Sequence, residues 1–517
     1  MTLLEHHFDT SNVTLVDCVS SCDKRTSYVP CLQPPPLTVW VGRVTINILP
    51  DDVLLFIFYF DQAIYLDGLG DFDRVWLPSW RWHRLVHVCQ RWRSVVFGSP
   101  NFLDLRLVCG PRTPLELTSI WPLFPISIEN LFDTHMPGDY DFEAAMVHHN
   151  RVCEIRLNFL TRSQLKRLAS AMRVQFPALI HLRLEASYYD YPYLALPDGF
   201  LDGCAPRLQS LTLNFVAFPA LPKFLLSATD LVHLTLWSHT QYISPEAIVT
   251  GLAALSNLES LIIEYKSPTS SSNLDPRYPP PLTRTVLPAV TRFEFGGKSK
   301  DFEDLVAWID TPLLDSIWIV LFQRQSPLHI PQFAEFMRRT TRFQTLNEAY
   351  VNIDEEGVQV ESLPPTQAFH DRTGMRISSL ELDWQLLYLA EVFTSFFPSI
   401  FMLERVYIYG PQYLPSSSWQ YLVVNLDWLE MLQPLTAVKN LYGCKEFAKS
   451  IAPVLQDLVG ERAIDVLPAL ECLFLEDFRS SGPVQEAIGQ FVAVRRFLGR
   501  PVAVSHWDGS LFVDPNE

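Results

Sequence analysis

Residues 207–215 read Arg-Leu-Gln-Ser-Leu-Thr-Leu-Asn-Phe, and the spacing of Leu208, Leu211 and Leu213 decides the fold. Leu211 and Leu213 are two apart, so on a β-strand both side chains fall on one face and Thr212 on the other. The same L-x-x-L-x-L spacing recurs at Leu179-Leu182-Leu184, Leu231-Leu234-Leu236, Leu258-Leu261-Ile263, Val290-Phe293-Phe295 and Leu314-Ile317-Ile319. Earlier copies read as Leu123-Ile126-Ile128 and Val152-Ile155-Leu157. Later ones read as Ile377-Leu380-Leu382, Leu403-Val406-Ile408 and Leu470-Leu473-Leu475. The middle positions 155, 182, 211, 234, 261, 293 and 317 are separated by 27, 29, 23, 27, 32 and 24 residues. Such a period holds one strand and one return segment. A unit of that size cannot bury its apolar face alone, whereas a stack of them buries a continuous core. Amphipathic helical patterns fill the returns at 162–176, 247–255, 302–309, 330–339 and 484–498.

The units resemble leucine-rich repeats. The resemblance implies an α/β fold, a horseshoe-shaped solenoid whose strands line a concave face. One element of the repeat consensus is missing. Asn or Cys, expected three residues after the last strand leucine, is replaced by Leu160, Ser187, Val216, His239, Lys266, Lys298, Gln385, Pro411 and Phe478. Other bonds must therefore satisfy the turns. The spacing also lapses between Ile317 and Leu380, where Phe343 and Leu346 mark a hidden copy. The Pro/Ser-rich stretches at 267–281 and 411–418 read as inserted loops.

Upstream, residues 49–58 read LPDDVLLFIF. Pro50, Asp51 and Asp52 suit a helix start, and Leu54, Leu55, Ile57 and Phe58 form a helical stripe. Val53, Phe56, Tyr59 and Phe60 are apolar too, so this helix needs burial on more than one side. A second helix is predicted over 80–97, with Leu85, Val88, Cys89, Trp92, Val95 and Val96 on one face, ending at Gly98. Leu49 to Phe58 resembles the opening of the F-box, and Val88-Cys89-Gln90-Arg91-Trp92 resembles its second signature, Val-Cys-x-x-Trp. The connection at 62–79 is longer than in the common module and is similar to the expanded F-box-like families of mushroom-forming fungi.

That resemblance implies a substrate-recognition subunit of a ubiquitin ligase. Leu49, Pro50, Leu55, Ile57, Phe58, Val88, Cys89 and Trp92 would hold a Skp-type adaptor and, through it, a cullin. The repeats would hold an unknown protein substrate. The strand positions between the leucines, His181, Arg183, Thr212, Thr235, Trp318, Glu381, Tyr407 and Phe474, would form its binding ribbon. The alternative is a non-ligase scaffold in which the same helices cap the repeats. The expected organisation is a flexible leader at 1–43, the helical module at 44–102, the solenoid at 103–508 and a tail at 509–517.

Composition narrows the function classes. Apolar residues make up 48% and charged residues 19%, a folded composition. The net charge of −17 without a basic stripe argues against a nucleic-acid partner. No apolar run approaches membrane-helix length, so no membrane partner is expected. The nine cysteines are scattered and several, such as Cys89 and Cys472, sit in apolar contexts, as buried thiols of a reducing compartment do, so a cytoplasmic or nuclear location is expected. No cofactor and no enzyme activity is expected. Gly296-Gly297-Lys298-Ser299 lacks the upstream glycine of a phosphate loop and reads as a polar turn. Other groupings also read as structural: His83 with His87, Cys18 with Cys22 and Cys31, Asp71 with Asp73, and Asp354-Glu355-Glu356.

Overall fold

The structure, a computed structural model, describes residues 46–67, 82–100, 102–110, 124–130, 145–187, 194–239, 243–265, 283–322, 329–354, 357–362, 373–378, 389–397, 400–410, 428–458, 462–476 and 482–508. Contacts divide the chain into two units, Met1–Leu54 and Leu55–Glu517. In the first, a 3-10 turn (Ile46–Ile48) leads into helix α1 (Asp51–Asp67). The helix opens on two carboxylates, and the Leu54 amide donates to Pro50 O at 3.0 Å.

The second unit begins with the rest of α1, followed by α2 (Trp82–Val86) and α3 (Gln90–Gly98). The single helix predicted over 80–97 is thus two helices. The chain turns at His87 and Val88, and Cys89 adopts extended backbone. Its Sγ then accepts from the Trp92 amide at 3.4 Å, so the residue read as mid-helix is the N-cap of α3. Apolar periodicity misses such a break because both short helices keep their stripe facing the same neighbours.

Among the described residues, sixteen strands then form one sheet. In chain order they begin with β1 (Leu107–Cys109), β2 (Ile126–Glu129), β3 (Val152–Leu160), β4 (His181–Ala186), β5 (Ser210–Asn214), β6 (His233–His239) and β7 (Ser260–Tyr265). After β8 (Thr285–Val286) come β9 (Arg292–Gly297), β10 (Ile309–Asp310) and β11 (Ser316–Phe322); β8 and β10 pair separately. The last seven are β12 (Glu348–Asp354), β13 (Gly357–Glu361), β14 (Gly374–Ser378), β15 (Arg405–Tyr409), β16 (Asn440–Gly443), β17 (Cys472–Glu476) and β18 (Ala503–Trp507). Except at β13, paired neighbours are parallel, with Leu182 beside Leu211, Leu211 beside Leu234, and Leu234 beside Leu261. These leucines are buried and share one continuous core with the return helices, including α4 (Arg162–Ala171), α5 (Leu221–Leu225), α6 (Pro245–Leu252) and α7 (Ser299–Trp308). Strand–helix units stacked into one mostly parallel sheet make a leucine-rich-repeat-like α/β solenoid.

The lapse in spacing after Ile317 is a change of topology. In space the order runs β11, β14, β13, β12, β15. The chain passes from β11 through α8 (Pro331–Arg339) to β12, returns antiparallel as β13, and runs parallel again as β14. Asp354 and Gly357 close the β12–β13 turn. A copy does follow here but three residues later than read: the strand places Ala349 and Val351 in the core after Leu346, and Phe343 belongs to the 3-10 turn before it. The triplet read as Ile377-Leu380-Leu382 is shifted. The strand is Gly374–Ser378, with Met375 and Ile377 inward, and Leu380 and Leu382 lie outside the described residues.

The turns lack the consensus Asn, and the main chain makes up for it. Ile180 O accepts from Gln209 N and Ser210 N, and Gln209 O from Val232 N and His233 N. Val232 O, Glu259 O and Thr291 O repeat this, as do Glu404 O and Lys439 O in the later repeats. Each carbonyl before a strand thus takes two amides of the next repeat. On the exit side, helix caps do the work. Thr161 forms a capping box with Gln164, and Ser244 caps α6, with Pro245 in its first turn.

Candidate protein-binding surfaces

Two surfaces bear on function, and each lies where strand or helix periodicity leaves side chains that the core does not use. The first belongs to the helical module. Helix α1 buries Leu54 and Phe58, while Phe56, Ile57, Tyr59 and Phe60 stay exposed. Phe56 and Tyr59 meet the exposed Phe102 at ring distances of 5.6 and 5.4 Å. The helix therefore has two apolar sides, of which the fold covers one.

The sequence-predicted adaptor residues divide accordingly. Pro50, Ile57 and Val88 are exposed, Val88 at 57%. Leu49, Leu55, Cys89 and Trp92 are half-buried. Phe58, at 1% exposure, has no surface to offer, and its ring packs on Trp92 at 4.7 Å. Cys89 serves as a helix cap. Sequence reasoning passed over Phe56, Tyr59, Phe60 and Phe102 as site residues. Their signal was the all-round apolar character of α1.

The module also packs onto the repeats. Trp82 is fully buried, its Nε1 donates to Arg106 O at 3.2 Å, and its ring meets Phe124 at 5.6 Å. Phe97 meets the same phenylalanine at 5.7 Å.

The second surface is the sheet face opposite the core. One row of register positions crosses the sheet from β3 to β18. It runs Arg156, Arg183, Thr212, Thr235, Ile262, Glu294, Trp318 and Gly374. It continues through Glu361, Tyr350, Tyr407, Tyr442 and Phe474 to Ser505. Six of the eight predicted ribbon residues, Arg183, Thr212, Thr235, Trp318, Tyr407 and Phe474, lie in this row. His181 sits one row below, beside Glu154 and Ser210. Glu381 lies outside the described residues.

The two halves of the face differ in chemistry. The first is ionic. Glu154 is buried, with Arg106 at 2.7 Å on one oxygen and Arg156 on the other. Ser127 Oγ lies 2.7 Å from Glu129, and burial raises that acid's pKa. Arg183 Nε donates to Asn158 at 3.1 Å, and its NH2 pairs with Glu185 at 3.2 Å. Burial lowers the His181 pKa.

The second half is aromatic. Tyr350, Tyr407, Tyr442 and Phe474 stack face to face at successive centroid distances of 4.6, 4.3 and 4.5 Å, close to the strand spacing itself. Trp507 closes on Tyr409 at 5.3 Å and on Tyr442 at 5.8 Å. Burial, then the neighbouring Glu348, raises the Tyr350 hydroxyl pKa. Gly374 is required here, because a Cβ would come within 2.8 Å of the Trp318 ring.

Of the remaining sequence signals, the Gly296–Ser299 stretch is structural. Gly296 makes room for the Glu264 side chain, and Ser299 opens α7 directly after Lys298, so this stretch is a strand-to-helix turn. The His83 side chain and residues 18–31, 71 and 73 lie outside what the structure describes. Among the described residues no group of three His, Cys, Asp or Glu side chains is placed to hold a metal ion. Among them, too, no helix is long and apolar enough to cross a membrane. Burial pushes the Cys109 and Cys153 thiols up to about 11.

No family model matches the sequence, and no curated protein matches it. The solved structure of a leucine-rich-repeat protein from Leptospira interrogans is similar over 78% of this chain and 92% of that chain. The identity is 15% and the TM-score 0.28, and the fold assignment rests on the strand register described above.

Proposed function

We propose that this chain is the substrate-recognition subunit of a Skp–cullin–F-box-type ubiquitin ligase. It performs no chemistry itself: the helical module docks the adaptor, and the second face of the solenoid receives the protein to be modified. The observation that carries the reading is the uncovered side of α1. Phe56, Ile57, Tyr59 and Phe60 form an aromatic surface on the helix whose sequence resembles the F-box opening. Contiguous exposed apolar patches of this kind mark interaction sites, and buried aromatic anchors dominate interface energies. The ionic and aromatic row on the sheet supplies the mixed composition a protein partner needs.

The test is co-purification of the full chain with a Skp-type adaptor. Leu49→Ala combined with Pro50→Ala should abolish capture and leave circular dichroism and melting unchanged. Unchanged capture by that folded variant, or no capture by the parent chain, overturns the ligase reading.

A second reading has its own support. Trp82 and Phe97 pack on Phe124, so the module covers the first strands as an N-terminal cap would. A cap with no adaptor would make the chain a non-ligase scaffold, and the same capture experiment separates the two.

A further inference from the structure

The ring stack on the second half of the face stops one strand short. Tyr350, Tyr407, Tyr442 and Phe474 are nearly parallel, with interplanar angles of 3, 13 and 6°, and each stands one strand further along the sheet. The next strand is β18, and the residue beside Phe474 there is Ser505. A serine side chain is too short to cover a phenyl ring. Trp507, two residues on, leans the other way, onto Tyr442 and Tyr409. The outer face of Phe474 therefore carries no ring among the described residues, and Phe474 and Ser505 are both part-exposed. The result is a slot one ring thick, with Phe474 as its wall and Ser505 as its floor.

A carboxylate stands at one end of this slot. Glu476 follows Phe474 by two residues, so it rises from the same face. Its Oε2 accepts from the Lys445 amide at 3.1 Å, at the positive end of the helix Lys445–Gln456. Its Oε1 has no hydrogen-bond donor among the described residues. The slot thus offers a flat apolar wall and a charged, half-satisfied acceptor. A guanidinium matches both, because it is planar, lies on aromatic faces and donates within its plane to a carboxylate. An apolar ring would stack as well, but it would strip water from Oε1 without replacing the bond. A lysine has no plane to lay on the ring. The net charge of −17 also favours the approach of a cation. We propose that the slot seats an arginine side chain of the partner protein, its guanidinium stacked on Phe474 above Ser505 and donating to Glu476 Oε1. This rests on the reading that the second face receives a protein, but it needs no adaptor.

The test is binding of a Gly/Ser peptide with one central arginine to the full chain at physiological salt, followed by saturation-transfer NMR on the peptide. The arginine peptide should bind, and citrulline, lysine or phenylalanine in its place should weaken binding about tenfold or more. Glu476→Gln keeps an acceptor for the Lys445 amide and should weaken the arginine peptide by about the same factor. Ser505→Phe supplies the missing ring, so it should abolish binding without lowering the melting temperature. Glu486→Gln, exposed on the helix Pro483–Phe497, removes the same charge away from the slot and should leave binding unchanged. No binding of the arginine peptide, equal binding of the citrulline peptide, or unchanged binding by Glu476→Gln overturns the proposal. Equal binding of the phenylalanine peptide overturns it in favour of an apolar occupant. Equal weakening by Glu486→Gln overturns it in favour of the overall charge. A chain that binds the arginine peptide in the slot but captures no adaptor supports this inference while the ligase reading falls.

Discussion

Glu303 on α7 caps the helix of the following repeat, its Oε1 accepting from the Phe333 amide at 2.8 Å and its Oε2 from Gln332 N at 2.9 Å. Helix α8 has no side-chain cap of its own, since its N-cap residue is Ile330. The carboxylate also lies at the positive end of that helix. Glu303→Ala should destabilise the solenoid by about 1–2 kcal/mol, and Glu303→Gln by less, since an amide keeps one acceptor. Urea unfolding of the purified chain checks the order. Equal stability of parent and alanine variant would show that the two repeats are not joined in this way.

Thr311 offers the opposite case. Its hydroxyl is buried beside β10 and has no hydrogen-bond partner among the described residues. Valine has the same shape without the orphaned group. Thr311→Val should therefore raise stability by about 1 kcal/mol, read as a higher melting temperature. A lower one would mean that the hydroxyl is satisfied in solution.

His181 gives the sheet a pH dependence. Burial lowers its pKa below the ordinary value of 6.5, with Arg156, Arg106 and His233 acting in the same direction and Glu154 against them. On acidification through 6.5 the unfolded chain takes up a proton that the folded chain refuses, so stability falls as pH falls. His181→Asn should flatten the stability profile between that value and the lowered folded-state pKa. A profile of unchanged slope in the variant would place the titration elsewhere.

Most of the fold was legible because two periods are written in the chain. The strand leucines mark one core face, and helix starts such as Ser244-Pro245 and Thr161 mark the returns. What escaped notice did so for physical reasons. Strand β16 was missed because Gly443 stands where an apolar side chain was expected, and there a Cβ would lie 2.2 Å from the Phe447 ring. Strand β13 was missed because an antiparallel return has no place in a repeat count. Arg495 reads as a surface charge, yet it is fully buried and donates to the carbonyls of Ala463, Leu467 and Leu470. The aromatic row was half visible: Tyr407 and Phe474 were singled out, while Tyr350 and Tyr442 belong to strands whose register only the folded sheet reveals.

That row sets the last prediction, which concerns the partner surface. Arg183, Thr235 and Trp318 lie in it on β4, β6 and β11 and are not needed by the core, so replacing them leaves the leucine face intact. Charge reversal of Arg183 removes its pairing with Glu185 and Asn158, a part-exposed contact worth about 1 kcal/mol or less to stability. Arg183→Glu with Thr235→Lys and Trp318→Glu should therefore fold and keep adaptor capture, while losing the protein partners that proximity labelling finds around the parent chain. Those partners should accumulate when the variant replaces the parent in cells. The leucine face serves as the internal control, since Leu234→Glu buries an unpaired charge and should abolish folding and labelling together. If the triple variant labels the same partners as the parent, recognition lies elsewhere on the chain, and the sheet row is only the outer skin of the repeats.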